Sequence, residues 1–172
     1  MSPRLDGMAD PEQLLIKPDV LMPNSRLPVL VYRRALMPDA QGKVRGFEDL
    51  FHGNDWHGVW RNGIYDYDHF HSTSHEVLGI EAGRASVQLG GDSGIAIDVE
   101  AGDVLILPAG TGHRRITASL DLSVIGGYPR GQERPDLLRK GDAEAQDRID
   151  NVALPKTDPV QGTKGPLPRL WS

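Results

Sequence analysis

The residues able to do chemistry lie close together. Between Gly63 and Gly83 the chain reads Gly-Ile-Tyr-Asp-Tyr-Asp-His-Phe-His-Ser-Thr-Ser-His-Glu-Val-Leu-Gly-Ile-Glu-Ala-Gly, and three of the six histidines, His69, His71 and His75, fall in it, with Glu76 directly after. His69 and His71 are two apart, so a strand would point both to one face, with alpha carbons ~7 Å apart at ~3.3 Å rise per residue. Two imidazoles so placed converge on one metal ion, each nitrogen about 2.0–2.2 Å from it. A turn over Ser72–Ser74 returns Glu76 beside them on the next strand, and His113 is the candidate for the fourth ligand. Alternation sends His75 to the opposite face, where a structural role fits better than ligation.

The sequence has no cysteine, which excludes disulfides, iron–sulfur clusters, thiolate zinc and a cysteine nucleophile. Any metal site therefore uses imidazole and carboxylate. That donor set suits iron, manganese, nickel, zinc or copper, and leaves positions open on an octahedral ion for water, substrate or dioxygen. The expectation is one divalent transition metal per chain: Fe, Mn, Ni or Zn.

Other polar residues flank these positions. Arg115 shares parity with His113 and is expected to face inward. There it would either grip an anionic ligand or form a structural ion pair, and a bulge after His113 would put Arg114 inside instead. Tyr65 and Tyr67 share parity with His69 and are expected at the mouth of the site. Asp66 and Asp68 read as a solvated strand edge in preference to a general base. His52 and His57 read as surface residues.

The elements that must position these groups are mostly short strands. Leu27 to Leu36 is apolar and β-branched. Phe47, Leu50 and Phe51 have the spacing of one short amphipathic helix. Ala85, Val87 and Leu89 alternate with polar residues, as do Ile95, Ile97 and Val99, and Gly90 to Gly94 makes a hairpin loop between them. Val104 to Leu107 is fully apolar, and Leu120 to Ile125 closes the series. Short strands separated by Gly- and Pro-rich turns indicate a β-sandwich or small barrel. Asp142 to Asn151 reads as a helix, and the Pro-rich stretch from Leu154 ends in Leu170-Trp171, a pair expected to dock on the barrel or on a second subunit.

At 172 residues the chain has the length of one domain, and its net charge of -5 argues against nucleic acid or an anionic membrane as the main partner. No run reaches the ~20 apolar residues of a membrane span. Together with the absence of cysteine, this leads to the expectation of a cytoplasmic protein. The division expected is an N-terminal arm at 1–25, a barrel with its preceding strand and helix at 26–130, and a C-terminal helix and tail at 131–172.

The segment Gly63 to Gly83 resembles the first motif of the cupins: Gly, five residues, His-x-His, three or four residues (four here), Glu, six residues, Gly. Gly102, Pro108, Gly110 and His113 resemble the second, although Thr117 stands where that motif has Asn. The wording around Trp60–Tyr67, His71–Gly79 and Leu107–Arg115, and the Gly-Pro-Leu-Pro-Arg-Leu-Trp tail, is similar to the YjlB-like group of bacterial cupins. The resemblance implies an all-β jelly-roll barrel with an N-terminal extension and a short helical C-terminal tail. It also implies His69, His71, Glu76 and His113 as metal ligands. The function implied is a metal-dependent enzyme, of dioxygenase, isomerase or decarboxylase type, acting on a small polar or anionic molecule. The alternatives are a non-enzymatic binding or sensing module and a purely structural dimer. A homodimer is expected in any case.

Overall fold

The computed structural model describes residues 8–172; of the expected N-terminal arm, residues 1–7 lie outside the described residues. Among the described residues, nine strands form two antiparallel sheets. The larger sheet has six, in the order β1 (Glu12–Leu14), β2 (Val29–Tyr32), β7 (Val104–Leu107), β4 (Glu76–Ala82), β9 (Ser123–Pro129) and β3 (Trp56–Asn62). The smaller has three: β6 (Ile95–Glu100), β5 (Arg84–Leu89) and β8 (His113–Ala118). The fold is a jelly roll, with α1 (Phe47–Gly53), α2 (Ala145–Asp150) and α3 (Leu167–Leu170) around it.

The central strands of the six-stranded sheet are buried on both faces, which explains why β7 is apolar throughout. Leu105 and Leu107 point between the sheets with Leu78, Ile80, Val87 and Leu89. Val104 and Ile106 point the other way, into a second core with Phe47, Phe51, Trp56 and Trp171. Alternation along β4 follows the same rule. Glu76 shares the inner face with Leu78 and Ile80, whereas Val77 faces the outer core. The three-stranded sheet has one solvated face, and its edge strand β6 buries only Val99; Ile95, expected on the apolar face, is 40% exposed.

Both ends of the described chain are fastened to this framework. β1 pairs with β2, and the side chain of buried Asn24 donates to the carbonyls of Lys17 and Gly90 while accepting from the Gly112 N–H. At the other end Asp158 accepts from Tyr32 Oη at 2.7 Å and from the backbone N–H of Val160 and Leu167. The Trp171 indole is buried and donates to the Pro28 carbonyl at 2.9 Å. Of the two docking sites expected for this tail, the chain uses its own sheet. The last long strand runs Ser123–Pro129, later than the stretch Leu120 to Ile125. Leu120 sits fully exposed in a turn.

Candidate metal centre

The segment carrying His69 and His71 runs antiparallel to the start of β8, though only as isolated bridges. His69 and His113 are directly opposed and exchange both backbone hydrogen bonds, at 3.3 and 2.9 Å. One step on, the Gly110 N–H donates to the His71 carbonyl at 2.8 Å. Gly110 has a φ of 94°, and a Cβ there would lie 2.5 Å from the Asn24 carbonyl oxygen. Only glycine fits both demands. The turn through Ser72 and Ser74 then delivers Glu76 to the first position of β4, facing inward.

One ring nitrogen from each of His69, His71 and His113 lies within 4.8 Å of the others, and all three rings are buried. The opposite nitrogens are tied down alike. His69 Nδ1 donates to the Tyr67 carbonyl (3.0 Å), His113 Nδ1 to the Thr111 carbonyl (3.0 Å) and His71 Nδ1 to the Asp136 carbonyl. A carbonyl only accepts, so in each neutral ring the hydrogen sits on Nδ1 and Nε2 keeps its lone pair. Glu76 Oε2 lies 2.9 Å from His71 Nε2 and 3.5 Å from His113 Nε2, and it is a buried atom without a hydrogen-bond partner. Three lone pairs and a carboxylate oxygen converging in a buried site fit a divalent cation.

The charges at the site are coupled. Burial, reinforced by the neighbouring His113, pushes His69 down to about 3. Burial also works against a charged His71, but the Glu76 carboxylate beside it outweighs that and raises it. For Glu76, burial would raise the carboxyl, yet His71 and His113 hold it well below the usual carboxylate range.

The remaining residues sort clearly. His75 is on the outer face of β4, its ring 4.9 Å from that of Trp171, with Nδ1 accepting from the Ala109 N–H. Burial, offset in part by the Ala153 backbone, pushes it down to about 4. A cavity of about 390 Å³ opens over the histidines and is walled by Trp60, Tyr65, Leu78, Tyr128 and Leu137. Tyr67 and Arg115 are not among its lining residues. Tyr67 stacks on Tyr65 and lies under the Arg139 guanidinium. Arg115 keeps parity with His113, because the register shift in β8 comes after it, but its tip lies 3.9 Å from Asp66. Arg114 pairs with Asp68 at 3.3 Å. Asp68 is less solvated than expected, and burial raises its carboxyl. His57 is half-buried, not at the surface, and is bonded to Asp55.

Asp136, Tyr128 and Trp60 were not singled out by the sequence as part of the site. Asp136 supplies the carbonyl for His71, and Tyr128 Oη accepts from Trp60 Nε1 at 2.8 Å. Burial and the Glu76 charge raise the Tyr128 phenol above its ordinary range, so it stays protonated. A larger cleft, about 740 Å³, lies around Arg33, Arg84 and Asp103 and contains no histidine.

Comparison with known proteins places this arrangement. The sequence is 34% identical over 146 residues to the uncharacterized protein YjlB of Bacillus subtilis (strain 168), covering 84% of this chain and 86% of that one. The chain belongs to the YjlB-like cupins. No model of a known protein family matches it. Among solved structures, acireductone dioxygenase from Bacillus anthracis, solved with a cadmium ion in its active centre, has a TM-score of 0.42 at 17% identity, over 63% of this chain and 82% of that one. The polyketide cyclase RemF from Streptomyces resistomycificus has a TM-score of 0.37 at 16% identity, over 84% and 89%. Likenesses this distant carry no argument about the chemistry of this YjlB-like cupin, which rests on its own residues.

Proposed function

We propose that this YjlB-like cupin is a metal-dependent enzyme acting on a small molecule, with His69, His71, His113 and Glu76 holding one divalent transition ion. The observation that carries the reading is Glu76 Oε2: a buried carboxylate oxygen, without a hydrogen-bond partner, set against imidazole nitrogens whose hydrogens are committed elsewhere. A bound ion would supply Lewis-acid polarisation of an oxygen atom on the substrate. The chain's own residues provide the rest. Tyr67, Thr111 and Asp136 orient the three rings through their carbonyls, and Leu78 and Trp60 keep the walls of the cavity apolar. The same proposal covers a homodimer and a cytoplasmic location; the strongly exposed Leu15 and Val20 near the edge strand β1 support pairing.

The test is metal content. Untagged protein, or protein reconstituted in turn with iron, manganese, nickel and zinc, is expected to hold about one ion per chain. His71→Ala and His113→Ala are expected to lose it, and His75→Ala to keep it. Failure of all four ions to bind at micromolar level, or a metal-free His75→Ala, would overturn the assignment. Turnover of a candidate substrate by loaded protein then separates an enzyme from a binding module.

A further inference from the structure

In the cavity over the histidines the hydroxyl of buried Tyr128 is a hydrogen-bond donor without an acceptor. Trp60 on β3 faces Gly126 on β9, and a Cβ at Gly126 would lie 2.1 Å from the indole. The missing side chain lets the indole lie across β9 and donate to Tyr128 Oη at 2.8 Å. A phenol oxygen that accepts in this way still has its own hydrogen to give. Among the described residues nothing accepts it, although Tyr128 is only 7% exposed. Ile64, Leu78, Pro135 and Leu137 give the cavity apolar walls, and the polar Asn62 and Tyr65 that also line it are exposed. Apart from Glu76, the charged groups lining the cavity are already paired. Arg61 is bound to Glu81 and Glu48, and the Asp136 carboxylate to Ser72 and Thr73.

From this we infer that the site takes a small molecule with an apolar body, no charge beyond the group that meets the ion, and an oxygen acceptor, and that the Tyr128 hydroxyl donates to that oxygen. The inference rests on the metal reading above. A dianion would enter a cavity in which no free cation other than the ion offsets its charge, whereas an apolar body removes the walls from water. Tyr128 thus selects ligands by an oxygen in reach of its hydroxyl, a discrimination that a purely apolar pocket does not achieve.

The full-length protein loaded with Co(II) provides the test, with cobalt absorption as the readout of titrations with benzohydroxamate, acetohydroxamate and oxalate. Benzohydroxamate is expected to bind about tenfold or more tighter than acetohydroxamate, and oxalate to bind weakest. Tyr128→Phe is expected to weaken benzohydroxamate about 5- to 20-fold at unchanged cobalt content. Trp60→Phe, which frees the hydroxyl from its anchor, should weaken it less but in the same direction, and carries the test if Tyr128→Phe does not fold. Tightest binding by oxalate, or benzohydroxamate affinity unchanged in the variants, overturns the inference while the metal reading stands. A wild-type chain that takes up no cobalt overturns both.

Discussion

Removing the Asp136 carboxylate should loosen a metal site in which that carboxylate is not itself placed as a ligand. Asp136 lies after the last strand, yet its carbonyl accepts from His71 Nδ1. The carboxylate fixes that carbonyl by accepting from the Ser72 N–H at 2.7 Å, the Ser72 hydroxyl, and the Thr73 hydroxyl and N–H at 3.2 and 3.3 Å. Burial would raise this carboxyl, but the Ser72 and Thr73 bonds outweigh it and lower it. Hydrogen bonds to a charged acceptor contribute roughly 1.5–3 kcal/mol each, but this side chain is 29% exposed and its donors can turn to water. A total loss of about 2–3 kcal/mol for Asp136→Ala is therefore expected, or a fall in Tm of roughly 4–12 °C for a chain of this size. The His71 ring loses its fixed orientation at the same time, and removal of such an outer partner typically weakens metal binding 10- to 100-fold. Thermal melting of the metal-free protein and competitive titration with a zinc indicator measure the two effects separately. Asp136→Asn, which keeps one acceptor oxygen, should fall between wild type and Asp136→Ala in both. If Asp136→Ala melts lower but binds zinc within threefold of wild type, the segment does not set the geometry of His71 and the reasoning fails.

Two further outcomes follow from other contacts. Trp171→Ala empties a fully buried site and leaves the Pro28 carbonyl unpaired, a loss of about 3–5 kcal/mol and roughly 6–20 °C in Tm. Because the tail docks on its own sheet, the mass by light scattering should not change; a small shift in Tm with a change in mass would place the tail on another subunit. Glu81 is held at about 2 chiefly by the two-pronged contact with Arg61, so its contribution to stability is complete above the ordinary 4.5 and is lost as pH falls toward 2. The shift alone corresponds to ~3 kcal/mol, and half-exposed Arg61 reduces this to about 1–2 kcal/mol. The stabilities of wild type and Glu81→Gln by urea unfolding should therefore draw together as pH falls from 5 toward 2, and parallel pH profiles would reject the assignment.

Local chemistry wrote most of the site into the sequence. Two imidazoles two residues apart, a carboxylate one turn later and glycines where the backbone must reverse are short-range requirements, so His69, His71 and Glu76 were legible from spacing alone. The two-residue period of β5 and the three-to-four spacing of Phe47, Leu50 and Phe51 were legible for the same reason. The period also predicted that His75 would turn away from Glu76. What packs against His75, the ring of Trp171, was not in the period. Asp136 meets Ser72 across 64 positions, Tyr128 meets Trp60 across 68 and Trp171 meets Pro28 across 143. No local pattern encodes such pairs, because they arise only when β3 pairs with β9 and the chain after β9 folds back onto the sheet. Parity gives Arg115 the same strand face as His113, but parity fixes only the direction of a Cβ. Where the long side chain ends depends on its neighbours, and the tertiary structure placed the guanidinium beside Asp66 and set Tyr128 in the wall of the cavity.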